Sequence, residues 1–278
     1  MPLEKENFFQ QLHHNEKLLI LPNVWDVLSA ALLERIGYPA VATSSSAIAL
    51  SNGYRDGEKL PFDELLKILT RISAGVNIPV SADVETAYAS NPAELRENIK
   101  KLIDTGITGI NYEDSKHNGN GLISIEEQCE NIEIIRKTAE GAGSALFINA
   151  RIDVYIKANH LSDDEKLTEA IKRGKAYKDS GADGLYPIIL KNKNHIEELV
   201  KETGLPVNIT MIQGIPGFEV LKELGVKRIS LASGFLKASV YSLKNIAELL
   251  LKEEGMNVFF QNMVSSDYLN GLIADKME

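Results

Sequence analysis

The sequence predicts an α/β fold, a single (β/α)8 barrel of the TIM type, with an additional helical segment at its C-terminal end. Three observations predict it. A phrase of helix, glycine and short apolar strand recurs along the chain, the helices between carry legible caps, and no glycine-rich phosphate turn follows the first strand. The phrase reads Ile36-Gly37-Tyr38-Pro39-Ala40-Val41, then Ala74-Gly75-Val76-Asn77-Ile78-Pro79-Val80, then Thr105-Gly106-Ile107-Thr108-Gly109-Ile110. It returns around Gly181, Gly204 and Gly225. A glycine just past a helix takes the left-handed conformation that closes it, and a short apolar run buried on both faces reads as a parallel strand.

Taken in order, the first strand is Leu18 to Leu21, followed by Pro22-Asn23-Val24-Trp25-Asp26. Trp25 is expected to pack and Asp26 to cap the first helix; an open doubly wound sheet would place its glycine-rich turn there instead. The second, third and fourth strands follow Gly37, Gly75 and Gly106, and Asn91-Pro92-Ala93-Glu94 opens the helix before the fourth as a capping box with proline at the first helical position. Ser124-Ile125-Glu126-Glu127 opens another helix, Ala145 to Asn149 forms the fifth strand, and Ser162-Asp163-Asp164-Glu165 caps the next helix, which turns Leu167, Ile171 and Gly174 inward. The last three strands follow Gly181, Gly204 and Gly225. Eight strands, each followed by a helix, mean a closed barrel, and such barrels reach ~250 residues as one domain. The expectation is therefore one domain over 1–278, whose helices from about residue 238 pack on a neighbouring subunit.

The composition, 44% hydrophobic and 25% charged, suits a large core. A net charge of -9 repels phosphate backbones, which argues against nucleic acid as a partner. One cysteine, Cys129, excludes an internal disulfide and is expected as core filler inside a helix. The charged stretch Met1 to Gln10 is unlike a signal peptide, and no apolar run approaches the ~20 residues of a membrane span, so a cytoplasmic protein is expected. His13 and His14 are expected in solvent on a polar helix, as are His160 and His195 near helix starts.

In such a barrel the C-terminal ends of the strands build the active site. That rule collects Thr43-Ser44-Ser45-Ser46 and Asp56 after the second strand, Asp83 and Glu85 after the third, and Glu113 in Asn111-Tyr112-Glu113-Asp114-Ser115 after the fourth. It adds Arg151 in Asn149-Ala150-Arg151-Ile152-Asp153 and Asn208 after the seventh. Singly, Asp-x-Glu is an ordinary solvated turn, an arginine beside acids an ordinary salt bridge, and a serine run a helix cap. Their coincidence at one end changes that reading. Carboxylates gathered in a small space demand protonation or a cation. All-oxygen ligands favour Mg²⁺, or Mn²⁺, held by one direct carboxylate with others gripping its waters. Arg151 offers a fork for a substrate carboxylate, and Ser44, Ser45 and Ser46 offer hydroxyls and N–H groups to the same anion.

With Asn23-Val24-Trp25-Asp26, Ala42-Thr43-Ser44-Ser45-Ser46, Gly53-Tyr54-Arg55-Asp56-Gly57, Asp83-Val84-Glu85, Gly109 to Ser115 and Asn149-Ala150-Arg151 in this order, the chain resembles the isocitrate lyase/phosphoenolpyruvate mutase superfamily from about Leu21 to Leu236. The resemblance implies Asp83 as direct Mg²⁺ ligand, with Asp56, Glu85 and Glu113 on metal-bound waters. It implies a small 2-oxo acid as partner, its carboxylate on Ser44 to Ser46, Arg151 against it, and a pyruvate enolate as intermediate. It also implies a homo-oligomer, a tetramer. The expected activity is lyase or decarboxylase action on an oxaloacetate-like acid; C–P chemistry on phosphonopyruvate and a non-catalytic binding barrel are the alternatives. Two departures stand out. Ala87 and Ala89 occupy places where the superfamily usually has glycine, which is expected to narrow the metal loop. The lyases' cysteine-bearing loop is replaced by Ser115-Lys116-His117-Asn118-Gly119-Asn120-Gly121-Leu122, leaving Lys116 and His117 as candidates to supply a proton or to close over the substrate.

Overall fold

The computed structural model describes residues 2–116 and 121–273. Its strands are β1 (Leu19–Leu21), β2 (Asn23–Val24), β3 (Val41–Thr43), β4 (Val80–Asp83), β5 (Gly109–Glu113), β6 (Phe147–Ile152), β7 (Gly184–Pro187), β8 (Asn208–Thr210) and β9 (Arg228–Ser230). All pair in parallel, as β1-β9-β8 and as β2 through β7 in sequence order. One bridge, Leu185 to Val207, joins β7 to β8, and only Pro22 separates β1 from β2. The first barrel strand is thus broken in two by a residue without an N–H. Its carbonyl still accepts from the Ala42 N–H at 2.9 Å, so the ring of eight closes.

The helices are α1 (Pro2–His14), α2 (Val27–Ile36), α3 (Ser45–Ser51), α4 (Phe62–Ala74), α5 (Pro92–Asp104), α6 (Ile125–Gly141), α7 (Val154–Lys157), α8 (Asp163–Asp179), α9 (Lys193–Thr203), α10 (Phe218–Glu223), α11 (Gly234–Leu251), α12 (Met256–Gln261) and α13 (Ser266–Ile273). Caps start them where the sequence indicates. Asp26 caps α2 in a box with Ser29, Ser124 caps α6, and Ser162 forms a box with Glu165 on α8. At α5 Asn91 accepts from the N–H groups of Ala93 and Glu94, but Glu94 turns back to Ser90 rather than to Asn91. Gly37 and Gly204 take the left-handed conformation that ends α2 and α9. Cys129 lies within α6, partly buried against the core.

Alternation along the strands sends Val41, Ala82, Ile110, Ile148, Leu185 and Ile229 into the apolar layer beneath the helices. A second, small cluster of Phe9, Leu19, Leu21, Ala40, Ala42 and Phe147 fills the barrel floor. Here an expectation fails. His13 is not in solvent but buried, stacked on Phe147 at 4.0 Å between ring centroids, its Nδ1 2.8 Å from the Phe9 carbonyl oxygen. Helix α1 folds under the barrel and plugs it, so its one apolar stripe outweighs its polar composition. Burial first, then the charge of Arg228, push the His13 imidazole down to about 3.

A further correction concerns β8. It spans Asn208–Thr210 rather than Pro206-Val207, so Asn208 opens the strand instead of following it. Beyond the barrel, α13 rests on α2 of the same chain, with Leu272 buried and the Arg35 guanidinium 4.9 Å from the Tyr268 ring centroid. Along α11 and α12, Tyr241, Leu243, Leu251, Met256, Phe260 and the following Met263 are exposed.

Candidate active site at the barrel mouth

Four of the residues singled out in the sequence meet at the C-terminal ends of β4, β5 and β6. Asp83 ends β4, and its Oδ2 accepts from the Ser45 hydroxyl at 2.8 Å and the Ser45 N–H at 3.1 Å. Its own N–H donates to Thr43 Oγ1 at 3.0 Å. The other carboxylate oxygen, Oδ1, is buried and has no hydrogen-bond partner among the described residues. Glu113 and Arg151 are register partners on β5 and β6 and form an ion pair of 2.6 Å. Arg151 also grips Asp153 in bidentate fashion, at 2.7 Å from Nε and 3.1 Å from Nη2. Asp153 in turn accepts from the Ser115 hydroxyl and, through its N–H, donates to Asp114 Oδ1 at 2.8 Å. Asp114 Oδ2 is held by Arg173 at 2.9 Å and by the Tyr177 hydroxyl at 2.7 Å.

This chain fixes Arg151. Burial opposes its charge, but Glu113, Asp153 and Asp83 overcome that and hold the guanidinium well above its ordinary range. The arginine is therefore both a salt bridge and a fixed cation facing the mouth. Glu85 behaves oppositely. Burial first, then Glu113, Asp83 and Asp56, push its carboxyl up to about 8, against the hydrogen bond from the Glu58 N–H. Three buried or half-buried acids and one exposed acid, Asp56, thus share a field that favours a counter-charge. Among the described residues no three His, Cys, Asp or Glu side chains are close enough to hold a metal directly.

The turn after β4 is unusual. Glu85, Ala87 and Tyr88 have φ of 54°, 59° and 53°, a region in which each non-glycine residue costs ~1–3 kcal/mol. This explains why glycine suits the position of Ala87. The expected narrowing of the loop does not occur there, because the Ala87 methyl is buried in the apolar core. Glu58, itself at φ 56°, meets this turn: its Oε1 accepts from the Thr86 N–H, the Thr86 hydroxyl and the Tyr88 N–H at 3.1, 2.7 and 2.9 Å.

The remaining candidates are placed elsewhere. Ser44 caps α3, accepting from the Ala47 N–H, and Ser45 is engaged on Asp83, while the half-buried Ser46 makes no side-chain hydrogen bond among the described residues. Asn208 is buried in the barrel interior, neither amide atom having a partner among the described residues. Lys116 lines a cleft of about 640 Å³ beside the mouth, together with Glu58, Thr86, Tyr88, Tyr112 and Ser115. His117 and Gly119 lie outside the described residues. Sequence reasoning missed Glu58, Asp153, Arg173 and Arg228. Of these only Asp153 carried a signal, two residues beyond Arg151 at the end of the same strand.

A closed parallel barrel whose mouth gathers carboxylates around one fixed arginine defines a class of barrel enzymes. The model of the phosphoenolpyruvate phosphomutase family matches residues 9–251, and the chain belongs to that family, within the isocitrate lyase/phosphoenolpyruvate mutase superfamily. An uncharacterized protein of Mycobacterium tuberculosis (strain H37Rv) is 30% identical over 239 residues, covering 86% of this chain and 87% of its own. The 2-methylisocitrate lyase of Halalkalibacterium halodurans is 25% identical, covering 89% and 82%. The fold matches a phosphonopyruvate hydrolase solved with oxalate and Mg²⁺ at a TM-score of 0.85 and 21% identity, over 98% of this chain and 95% of that one. The superfamily is one of enzymes, with lyase, mutase and hydrolase members. Among the described residues no helix is long and apolar enough to cross a membrane.

Proposed function

We propose that the protein is a Mg²⁺-dependent lyase or decarboxylase acting on a small, oxaloacetate-like 2-oxo acid. The observation that carries this reading is Asp83: one oxygen is fixed by Ser45, while the other is buried and has no hydrogen-bond partner among the described residues, with Glu85 and Glu113 near it. Asp83 would hold the cation directly, and Glu85, Glu113 and Asp56 its waters; Mn²⁺ fits the same oxygens. The cation supplies a positive centre that stabilises enolate charge by several kcal/mol. Arg151 orients the oxo acid through the guanidinium face that its two carboxylates leave over, and Ser46 receives the substrate carboxylate. The hydrolase solved with Mg²⁺ and oxalate supports the metal.

The test combines thermal shift with Mg²⁺ plus oxalate and a pyruvate-coupled oxaloacetate assay. Turnover should require the metal, and Asp83→Asn should abolish it without unfolding the chain, because no water can replace the charge bound to the cation. EDTA-insensitive turnover would sink the proposal. Isocitrate and methylisocitrate cleavage should be negligible, since the loop offers no cysteine to protonate a dicarboxylate carbanion. Decarboxylation should fall when Lys116 and His117 both become alanine; an unchanged double variant would return that loop to an inert turn. C–P chemistry is the second reading, favoured by the family's namesake activity, and phosphonopyruvate decides it: release of pyruvate and phosphate would mark a hydrolase, formation of phosphoenolpyruvate a mutase.

We also propose one domain, a cytoplasmic location and a homotetramer, the last supported by the exposed apolar row along α11 and α12. A monomeric mass in light scattering at micromolar concentration would contradict the tetramer.

A further inference from the structure

The turn that carries Glu85 has three left-handed residues in four positions and no glycine, so its own backbone does not favour its shape. Something outside must hold it. On one side the buried Asn98 of α5 donates from Nδ2 to the carbonyls of Ala87 and Tyr88, both at 3.0 Å. On the other side Glu58, in the segment between α3 and α4, supplies hydrogen bonds in both directions, while the Phe62 ring centroid lies 5.1 Å from that of Tyr88 and the Glu113 N–H donates to the Glu85 carbonyl at 3.0 Å. The Glu58 carboxylate collects the N–H groups of Thr86 and Tyr88 and the Thr86 hydroxyl on one oxygen. The left-handed Glu58 backbone simultaneously aims its N–H at Glu85 Oε1, 3.0 Å away. The two glutamates thus hold one another's segments, side chain to backbone in both directions.

We infer that Glu58 is a positioning residue, which clasps the 85–88 turn and through it sets where the Glu85 carboxylate faces the cation site. Its negative charge is secondary, since the three donors share one oxygen and an amide oxygen can accept from the same three, although each bond is weaker than to a carboxylate. This inference rests on the cation reading above for its consequence, although not for the clasp itself. It also gives the segment after Asp56 a purpose, because Glu58 ties that segment to β4, and Asp56 contributes to the field at Glu85.

The experiment compares the unsubstituted protein with Glu58→Ala and Glu58→Gln. Hydrogen exchange over 84–89 is followed by mass spectrometry and Mn²⁺ affinity by titration calorimetry. In Glu58→Ala the turn should exchange about tenfold faster and Mn²⁺ should bind about tenfold more weakly, the scale expected when hydrogen bonds to a charged group are lost. Exchange across β5 and β6 should not change. Glu58→Gln should recover both properties to within about threefold, as the same three donors find an amide oxygen. Unchanged exchange in Glu58→Ala would overturn the clasp. Recovered exchange with Mn²⁺ affinity still lost in Glu58→Gln would overturn positioning in favour of charge. Should Glu58→Ala fail to fold, Glu58→Gln decides alone, since it must keep both properties. An unsubstituted protein that binds no Mn²⁺ would remove the cation reading and this consequence together, while the exchange data still judge the clasp.

Discussion

Two arginines are buried inside the same barrel, and their surroundings are opposite. Arg151, near the mouth, meets Glu113 and Asp153, which raise its pKa well above the ordinary arginine range. Arg228, deeper in, donates to the neutral Asn111 and Ser230, both at 3.2 Å, and its Nη1 has no partner among the described residues. Burial pushes Arg228 down to about 10, which Tyr186 and Asp83 only partly offset. Barrel interiors are ordinarily filled with branched apolar side chains. This one stacks an apolar floor, a polar middle with Asn111, Asn149 and Arg228, and a charged rim. The charge balance is concentrated at the rim, where the chemistry is proposed.

The largest expected effect comes from removing the rim arginine. Arg151→Met removes the cation that Glu113 and Asp153 share, and breaking a buried pair costs ~3–5 kcal/mol. Urea unfolding should show that loss. Next comes acid sensitivity at the floor. Above pH 6.5 the His13 imidazole is neutral whether folded or not and contributes nothing. Below it the unfolded chain takes a proton that the folded chain refuses until about pH 3, so stability falls with pH across that window. The slope should approach ~1.4 kcal/mol per pH unit, and His13→Phe should remove it in unfolding curves at pH 7, 6, 5 and 4; an unchanged slope would mean His13 is not buried. The smallest effect is expected at Arg228→Met, which removes a cation with only neutral hydrogen-bond partners and should change stability by less than ~1 kcal/mol, in either direction. It should also soften the His13 slope, because Arg228 is one reason that the imidazole stays neutral. If Arg228→Met proved as costly as Arg151→Met, the contrast between the two would be gone.

Much of this was legible in the sequence because local signals coincide with global ones. Asp26, Ser124 and Ser162 cap helices where they stand, and Gly37 and Gly204 close them in the left-handed conformation. Asp83, Glu113 and Arg151 could be gathered from strand ends alone, since parallel strands in a ring must finish on one rim. What was not legible depends on contacts distant in sequence. His13 looks like a solvent residue until α1 is seen to plug the floor against Phe147, 134 positions away. Glu58 lies in a turn with no periodicity, and its role exists only because β4 ends beside it. Asn208 was read as following its strand whereas β8 begins at it, because proline at 206 blurred where the strand starts.

Pro22 has a further consequence. Cutting the first barrel strand in two leaves β1 bonded to β9 and β2 bonded to β3, while at the opposite join β7 meets β8 through a single bridge. The cylinder is therefore two arcs, one of three strands and one of six, stapled along two weak seams. Thermal opening of the barrel is expected to begin at those seams, where the fewest backbone hydrogen bonds hold it. The six-stranded arc carries Asp83, Glu85, Glu113 and Arg151 together, so one continuous ladder of backbone hydrogen bonds sets the geometry of the rim.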